Sequence, residues 1–244
     1  MHAQSDVTDL DGARYAIYFA PPVESALYQF GTALLGRDAV TGARVAQLSV
    51  DGLTRERWKQ ITEAPNVYGF HATLKPPFRL ATGVVPEMLV ESLEQFAAER
   101  PSFHVPGLRV SRIANFVALV LQEQSHDFGE LADACVERFD RFRAPLSAND
   151  VARRSPGRLT PRQRQLLEQW GYPYVFEEWR FHMTLASQLE PSEADHVCDG
   201  LASLATPFRN TPMTVDAVCL FVQPAPGTPF HLTRRLPFGD SSRA

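Results

Sequence analysis

The sequence predicts an α+β fold built largely on antiparallel sheets. Three observations predict it. Strand-like runs alternate with segments of helical spacing along the chain. Two pairs of strand-like runs, 108–113 with 115–122 and 213–222 with 229–236, follow each other with no helix between, as antiparallel neighbours do. No repeat of solenoid length recurs, which excludes a stacked-repeat architecture.

Residues 1–13 are polar, lack periodicity and read as a loose leader. Arg14-Tyr15-Ala16-Ile17-Tyr18-Phe19-Ala20 is rich in aromatic and β-branched residues and stops at Pro21-Pro22, a strand closed by proline. From Pro22 to Leu35 the positions Ala26, Leu27, Phe30, Ala33 and Leu34 recur at threes and fours, and Gly36 ends the helix they define. A second helix opens with Thr54 as N-cap and runs to about Glu63. Val67–Lys75 reads as a strand ended by Pro76-Pro77, and Pro86–Glu99 as a helix with proline in its first turn. Phe128–Phe142 is an amphipathic helix. Residues 144–163 are polar, and Arg153, Arg154, Arg158 and Arg162 lie in or beside a loop there. Glu178–Ser187 is a strand, Pro191–Leu204 a helix, and 213–222 and 229–236 the closing strands. Residues 238–244 are a tail.

The chain of 244 residues is long enough to bury a core without disulfides or a structural metal. Its three cysteines, Cys135, Cys198 and Cys219, lie far apart and form no C-x-x-C pair, which argues against a disulfide framework and a zinc site. Cytoplasm is the expected compartment. No run approaches the roughly 18 apolar residues of a membrane span, and the N-terminus shows no signal-peptide pattern. The net charge of −4 does not describe a protein that grips long nucleic acid, yet leaves room for a local basic pocket and a small anionic substrate.

One string recurs. Phe70-His71-Ala72-Thr73 is followed by Leu74, and Phe181-His182-Met183-Thr184 by Leu185. On a strand, i and i+2 share a face, so each string carries an imidazole and a hydroxyl on one side and apolar residues on the other. Two such strands across a cleft supply what hydrolysis of a cyclic phosphodiester needs. One imidazole takes a proton from water, the other protonates the leaving alkoxide, and threonine hydroxyls hydrogen-bond the charged oxygens. Thr73 and Thr184 are also ordinary β-branched strand formers. A third string, Phe230-His231-Leu232-Thr233, precedes Arg234 rather than an apolar residue and follows His182 too closely for another lobe, so it reads as a structural strand, the alternative being that His231 replaces one of the other two in the active pair.

These paired strings resemble the 2H phosphoesterase superfamily, which includes cyclic nucleotide phosphodiesterases and 2′-5′ RNA ligase-like proteins. Tyr68-Gly69-Phe70-His71-Ala72-Thr73-Leu74-Lys75-Pro76-Pro77-Phe78, Arg180-Phe181-His182-Met183-Thr184-Leu185 and the opening strand from Arg14 to Pro21 resemble its phosphonate-metabolism branch, found in phosphonate-use operons. The resemblance covers residues 14–237. It implies a bilobal, pseudo-two-fold α+β domain over that span, with antiparallel sheets flanked by helices around a central cleft. It further implies metal-independent hydrolysis of a small cyclic phosphodiester, a ribosyl cyclic phosphate among the options. His71 and His182 are then the catalytic pair, with Thr73 and Thr184 on the phosphate.

Further substrate contacts are expected from Lys75, which i+4 spacing places on the His71 face, and from Tyr18 and Tyr68 beside the motif strands. Arg153, Arg154 and Arg158 form either a phosphate clamp or a solvated loop. His2, His104, His126 and His196 have no companion motif. No cofactor and no metal is expected: H-x-H and H-E-x-x-H do not occur, and Asp9-Leu10-Asp11 sits in the polar leader. The expected partner is a small phosphorylated substrate, with no membrane, and with nucleic acid only as a short RNA end. Two rival functions remain, an RNA-end 2′,3′-cyclic phosphodiesterase or 2′-5′ ligase-like enzyme, and a protein that binds a phosphometabolite without turning it over.

Overall fold

The structure, a computed structural model, describes residues 12–155, 157 and 159–239. Residues 1–11 of the leader with His2, Asp9 and Asp11, the clamp candidate Arg158, and the tail from 240 lie outside the described residues. The chain folds in the order β1 (Arg14–Phe19), α1 (Ala26–Leu35), α2 (Arg55–Tyr68), β2 (Ala72–Phe78), α3 (Pro86–Ala98), β3 (Phe103–Val105), β4 (Leu108–Ile113) and β5 (Phe116–Leu121). It continues with α4 (His126–Phe139), α5 (Ala148–Arg154), α6 (Pro161–Trp170), β6 (Met183–Ala186), α7 (Pro191–Leu204), β7 (Met213–Val215), β8 (Ala217–Gln223) and β9 (His231–Pro237). The fold is α+β, and every ladder is antiparallel: β2-β1-β8-β9, β4-β5-β6 and the pair β3-β7. Among the described residues no helix is long and apolar enough to cross a membrane.

Strand periodicity builds the core. Tyr15, Ile17 and Phe19 of β1 and Val218, Leu220 and Val222 of β8 point to one face of the four-stranded sheet, where they join Leu119 of β5 and Met183 of β6 in one contiguous cluster. Each such side chain, taken fully out of water, contributes about 1.5–3 kcal/mol. The alternate residues Ala16, Tyr18, Cys219 and Phe221 pack with Phe230 on the opposite face.

The two H-x-T strings begin the edge strands of different sheets, β2 and β6. Both strands carry an extra residue at the same motif position. Tyr18 pairs with Thr73 and Ile17 with Lys75, leaving Leu74 over. Ala118 pairs with Thr184 and Val117 with Ala186, leaving Leu185 over. A bulge of this kind interrupts the in–out alternation of the strand.

That bulge corrects the expectation for Lys75. It does not share the His71 face. It is 1% exposed and turns toward α4, where Nζ donates to the Val136 carbonyl at 3.1 Å and to Asp140 Oδ1 at 3.0 Å. Asp140 also holds Arg143 through both carboxylate oxygens, at 2.8 and 3.1 Å. Burial drives the Lys75 pKa down to about 8 against the opposing pull of Asp140.

Other boundaries differ for identifiable reasons. Val67 and Tyr68 are helical, because α2 continues through Pro65 and stops only at Gly69. β2 runs through Pro76-Pro77, which an edge strand with a second irregularity opposite Ala16 tolerates. Arg153, Arg154 and Arg162 sit on helices: Ser147 with Asp150 and Thr160 with Gln163 form capping boxes that start α5 and α6. The expected strand at 178–187 shrinks to β6, behind a 3-10 turn at Phe176–Glu178. α4 ends at Phe139 in a 3-10 turn over Asp140–Phe142. The expected strand 213–222 splits into β7 and β8, which join different sheets.

Lys75→Met is expected to lower the unfolding free energy by about 1–3 kcal/mol, the worth of a hydrogen bond to a charged partner. Urea unfolding measures it. A variant as stable as the wild type contradicts a structural role for the buried lysine.

Candidate active site

β2 and β6 flank a cleft of about 360 Å3 whose lining includes His71, Thr73, His182 and Thr184. Both motifs, 111 residues apart in sequence, thus meet in one concavity. The motif phenylalanines face away from it. Phe70 is buried against α1, where Gly31 leaves room that a Cβ would take from the ring. Phe181 packs edge-on against Phe128 at 4.9 Å.

The two imidazoles are held alike. His71 Nδ1 lies 2.8 Å from the Gly69 carbonyl oxygen, and His182 Nδ1 lies 2.9 Å from that of Arg180. A carbonyl only accepts, so in the neutral ring Nδ1 carries the proton and Nε2 is left with its lone pair. Thr73 Oγ1 lies 3.3 Å from His71 Nε2, positioned to donate to it. Tyr18 stacks on the His71 ring at 3.7 Å and 20°, and Phe116 packs on His182 at 5.5 Å.

The segment before His71 is fixed from several sides. Arg37, 5% exposed, donates to the carbonyls of Asn66, Val67 and Phe230. Gly69 has φ 78° and ψ 176°, a region open essentially to glycine, and a Cβ there would lie 2.7 Å from that of Ala39.

Two bonds fasten the segments around the motif strands, one to β2 and one to α2. Trp179 Nε1 donates to the Thr73 carbonyl on β2 at 2.9 Å. Pro65 has no N–H for the carbonyl one helical turn back, Ile61, and that oxygen instead accepts from Ser187 N–H at 2.8 Å, just past β6.

Burial pushes the His71 imidazole down to about 4; the Gly69 carbonyl opposes the shift and the nearby His182 adds to it. Burial also lowers the His182 pKa, opposed by the Arg180 carbonyl. Both rings are therefore neutral at pH 7 in the free protein. Burial raises the Tyr18 pKa well above the ordinary tyrosine value, so its hydroxyl stays protonated and able to donate.

Of the residues expected at the site, Tyr18, Tyr68, His71, Thr73, Arg153, Arg154, His182 and Thr184 all line this cleft, and Lys75 does not. Arg153 bonds Asp150 at 2.7 Å, and Arg154 is tied to the carbonyls of Pro77 and Gly171. His231 lies on β9 with its ring next to Gly42, and Thr233 bonds the Leu220 carbonyl. Arg14, Tyr172 and Tyr174 line the cleft without having been singled out. Arg14 was legible, four residues from Tyr18 along one strand face. The two tyrosines follow α6 and carry no periodic signal.

The family described as "Protein of unknown function (DUF1045)" matches residues 73–231. Two curated proteins named "Ribose 1,5-bisphosphate phosphokinase PhnN" are similar. The one from Janthinobacterium sp. (strain Marseille) is 36% identical over 236 residues, 95% of this chain and 52% of that protein. The one from Laribacter hongkongensis (strain HLHK9) is 36% identical over 222 residues, 91% of this chain and 51% of that protein. The chain spans about half the length of these curated relatives. Among solved structures, one described as a phosphoesterase aligns over 94% of this chain and 99% of its own, at 15% identity and TM-score 0.43. Usb1 of Kluyveromyces marxianus aligns over 92% and 98%, at 13% identity and TM-score 0.41. Likenesses at that level carry no functional weight.

Gly69→Ala is expected to cost about 1–3 kcal/mol through backbone strain. It also displaces the carbonyl that orients His71. Thermal unfolding together with NMR of the His71 ring checks both; an unshifted ring in a stable variant contradicts the tie.

Proposed function

Because the chain belongs to the DUF1045 family, whose description states no function, its activity is argued from its site, and we propose that it is a metal-independent phosphoesterase that hydrolyses a small cyclic phosphodiester. One observation carries the proposal. Two half-buried imidazoles, each locked at Nδ1 by a carbonyl two residues earlier, line one cleft with a threonine beside each.

In the proposed reaction the nucleophile is water. Water gives a proton to Nε2 of His71 as its oxygen bonds phosphorus. The ring P–O bond breaks, and Nε2–H of protonated His182 supplies the proton to the leaving alkoxide. Hydroxyls of Thr73 and Thr184 donate to the non-bridging oxygens, where charge accumulates. The anionic substrate favours protonation of the imidazole that acts as acid. His71 is assigned as base because it stays neutral down to about pH 4.

Metal independence rests on the composition of the cleft. Among the described residues its lining holds imidazoles, guanidiniums, hydroxyls and prolines, with no carboxylate or thiolate, a poor donor set for a divalent ion.

The name of the curated relatives describes a kinase acting on a phosphorylated ribose. The lysines of this chain, Lys59 and Lys75, follow Trp58 and Leu74, so the G-x-x-x-x-G-K-[ST] loop that cradles nucleotide phosphates does not occur in it. The substrate half of that name agrees with a phosphorylated sugar here. The motif resemblance agrees with a place in phosphonate metabolism.

Phosphomonoester release from a panel of nucleoside and ribose cyclic phosphates, in excess EDTA, tests the proposal. Turnover is expected to survive EDTA and to fall about 10²- to 10⁴-fold in His182→Ala or His71→Ala, the usual contribution of a positioned acid or base. Turnover abolished by EDTA sinks the mechanism. Tight binding without turnover favours a binding protein instead.

The pH profile of kcat/KM is a second check. The base must be neutral, so activity rises through about pH 4; the acid must be protonated, and its pKa lies below the usual histidine value, so activity falls before about pH 6.5. A profile still climbing at pH 8 contradicts the assignment.

A further inference from the structure

Besides the histidines, the cleft is lined by arginines. Arg14, Arg153 and Arg154 reach it from two elements, β1 and the last turn of α5. Arg14 starts β1 four residues before Tyr18, about 13 Å along an extended strand. Its guanidinium stands 5.3 Å over the Phe230 ring, and its Nε donates to Gln223 Oε1 at 2.6 Å. Arg154 lies 5.9 Å from the Tyr172 ring and is pinned through carbonyls at both ends of its fork. Arg153 gives one nitrogen to Asp150, and its side chain is 52% exposed.

Tyr18 is in reach of both groups. Its ring lies on His71, while Tyr68, Tyr172, Arg14 and Arg154 all act electrostatically on its hydroxyl. Burial lowers the pKa of both Arg14 and Arg154, and Arg153 lowers each further, at Arg14 against the larger opposing pull of Tyr68. The histidines instead respond to burial, to the carbonyls that hold them and, for His71, to each other.

Three guanidiniums therefore converge in a concave site of a chain whose net charge is −4, and among the described residues no carboxylate lines that site. Asp150 answers Arg153 from outside the lining but is itself shared with Arg79. Like charges held together in partial burial repel, and an anion between them removes the cost. Arginine's fork is suited to phosphate oxygens. The volume, about 360 Å3, suits one small molecule rather than a strand of nucleic acid.

We propose that the arginine end is a second anion subsite, and that the substrate is a cyclic phosphodiester carrying a separate phosphomonoester across one sugar ring from the bond that is cleaved. Arg14 and Arg153 contact that second phosphate, Arg154 supplies fixed positive charge, and Tyr68 and Tyr172 line the sugar between. This rests on the reading of the cleft as a cyclic phosphodiesterase site.

The test compares a pentose cyclic phosphate with the same compound phosphorylated on its primary hydroxyl, in wild type, Arg14→Gln and Arg153→Gln. The wild type is expected to favour the phosphorylated member in kcat/KM by about ten- to a hundred-fold, the worth of one or two charge-assisted hydrogen bonds. That preference is expected to shrink to within about threefold in either variant. Arg153 is half exposed, so its variant keeps the test decisive if Arg14→Gln fails to fold. Equal wild-type rates on the two compounds, or equal losses on both in the variants, overturn the subsite.

If the wild type turns over neither compound, the proposed hydrolysis fails, and the subsite is judged separately by calorimetry with a pentose bisphosphate and the matching monophosphate. Tighter binding of the bisphosphate that Arg153→Gln removes supports the subsite. Equal affinities overturn it.

Discussion

Each motif imidazole is held by the carbonyl oxygen two residues before it. That contact fixes the ring, decides which nitrogen carries the proton and leaves the other nitrogen to the cleft. It works only if the carbonyl is itself immobile. For His71 this means Gly69 in a backbone region open to glycine, flanked by carbonyls that the buried Arg37 holds. For His182 it means the turn before β6, anchored by the bond from Trp179 to the neighbouring motif strand. Much of the surrounding structure serves to keep two peptide oxygens in place.

The edge positions of β2 and β6 matter for the same reason. An edge strand has one row of backbone groups unpaired by its own sheet, and here groups at and just past the edge strands bond to a turn and to a helix. The Thr73 carbonyl takes the Trp179 indole, and Ser187 N–H finds the carbonyl that Pro65 leaves open. The bulges at Leu74 and Leu185 then return the chain to the core directly after the threonine. Each motif thus presents one imidazole and one hydroxyl to the cleft. Burial makes the histidines poor cations, which suits a pair in which an anionic ligand charges one ring and leaves the other neutral.

The parts of this arrangement legible in the sequence were those governed by period. The alternation in Phe70–Leu74 and Phe181–Leu185 gave both polar faces correctly, and the helical spacing of α1, α3 and α7 placed those helices within a few residues. Lys75 was misplaced because the one-residue bulge at Leu74 leaves no mark in the pattern. α5 and α6 are marked in the sequence by Ser147-Ala148-Asn149-Asp150 and Thr160-Pro161-Arg162-Gln163, helix-start signatures inside a segment whose polarity masks them. Tyr172 and Tyr174 were not legible, since the tertiary fold alone brings that segment to the cleft.

The central claim is that two imidazoles act on one phosphate. Titrating the ring nitrogens of 15N-labelled protein by NMR tests it most directly, with and without a nucleoside 3′-phosphate as product. The account predicts that both rings carry their proton on Nδ1 when neutral, that His71 titrates near pH 4 and His182 below the usual histidine value, and that both pKa values rise together on binding. Two rings titrating at the ordinary value, or only one responding to the phosphate, would contradict it.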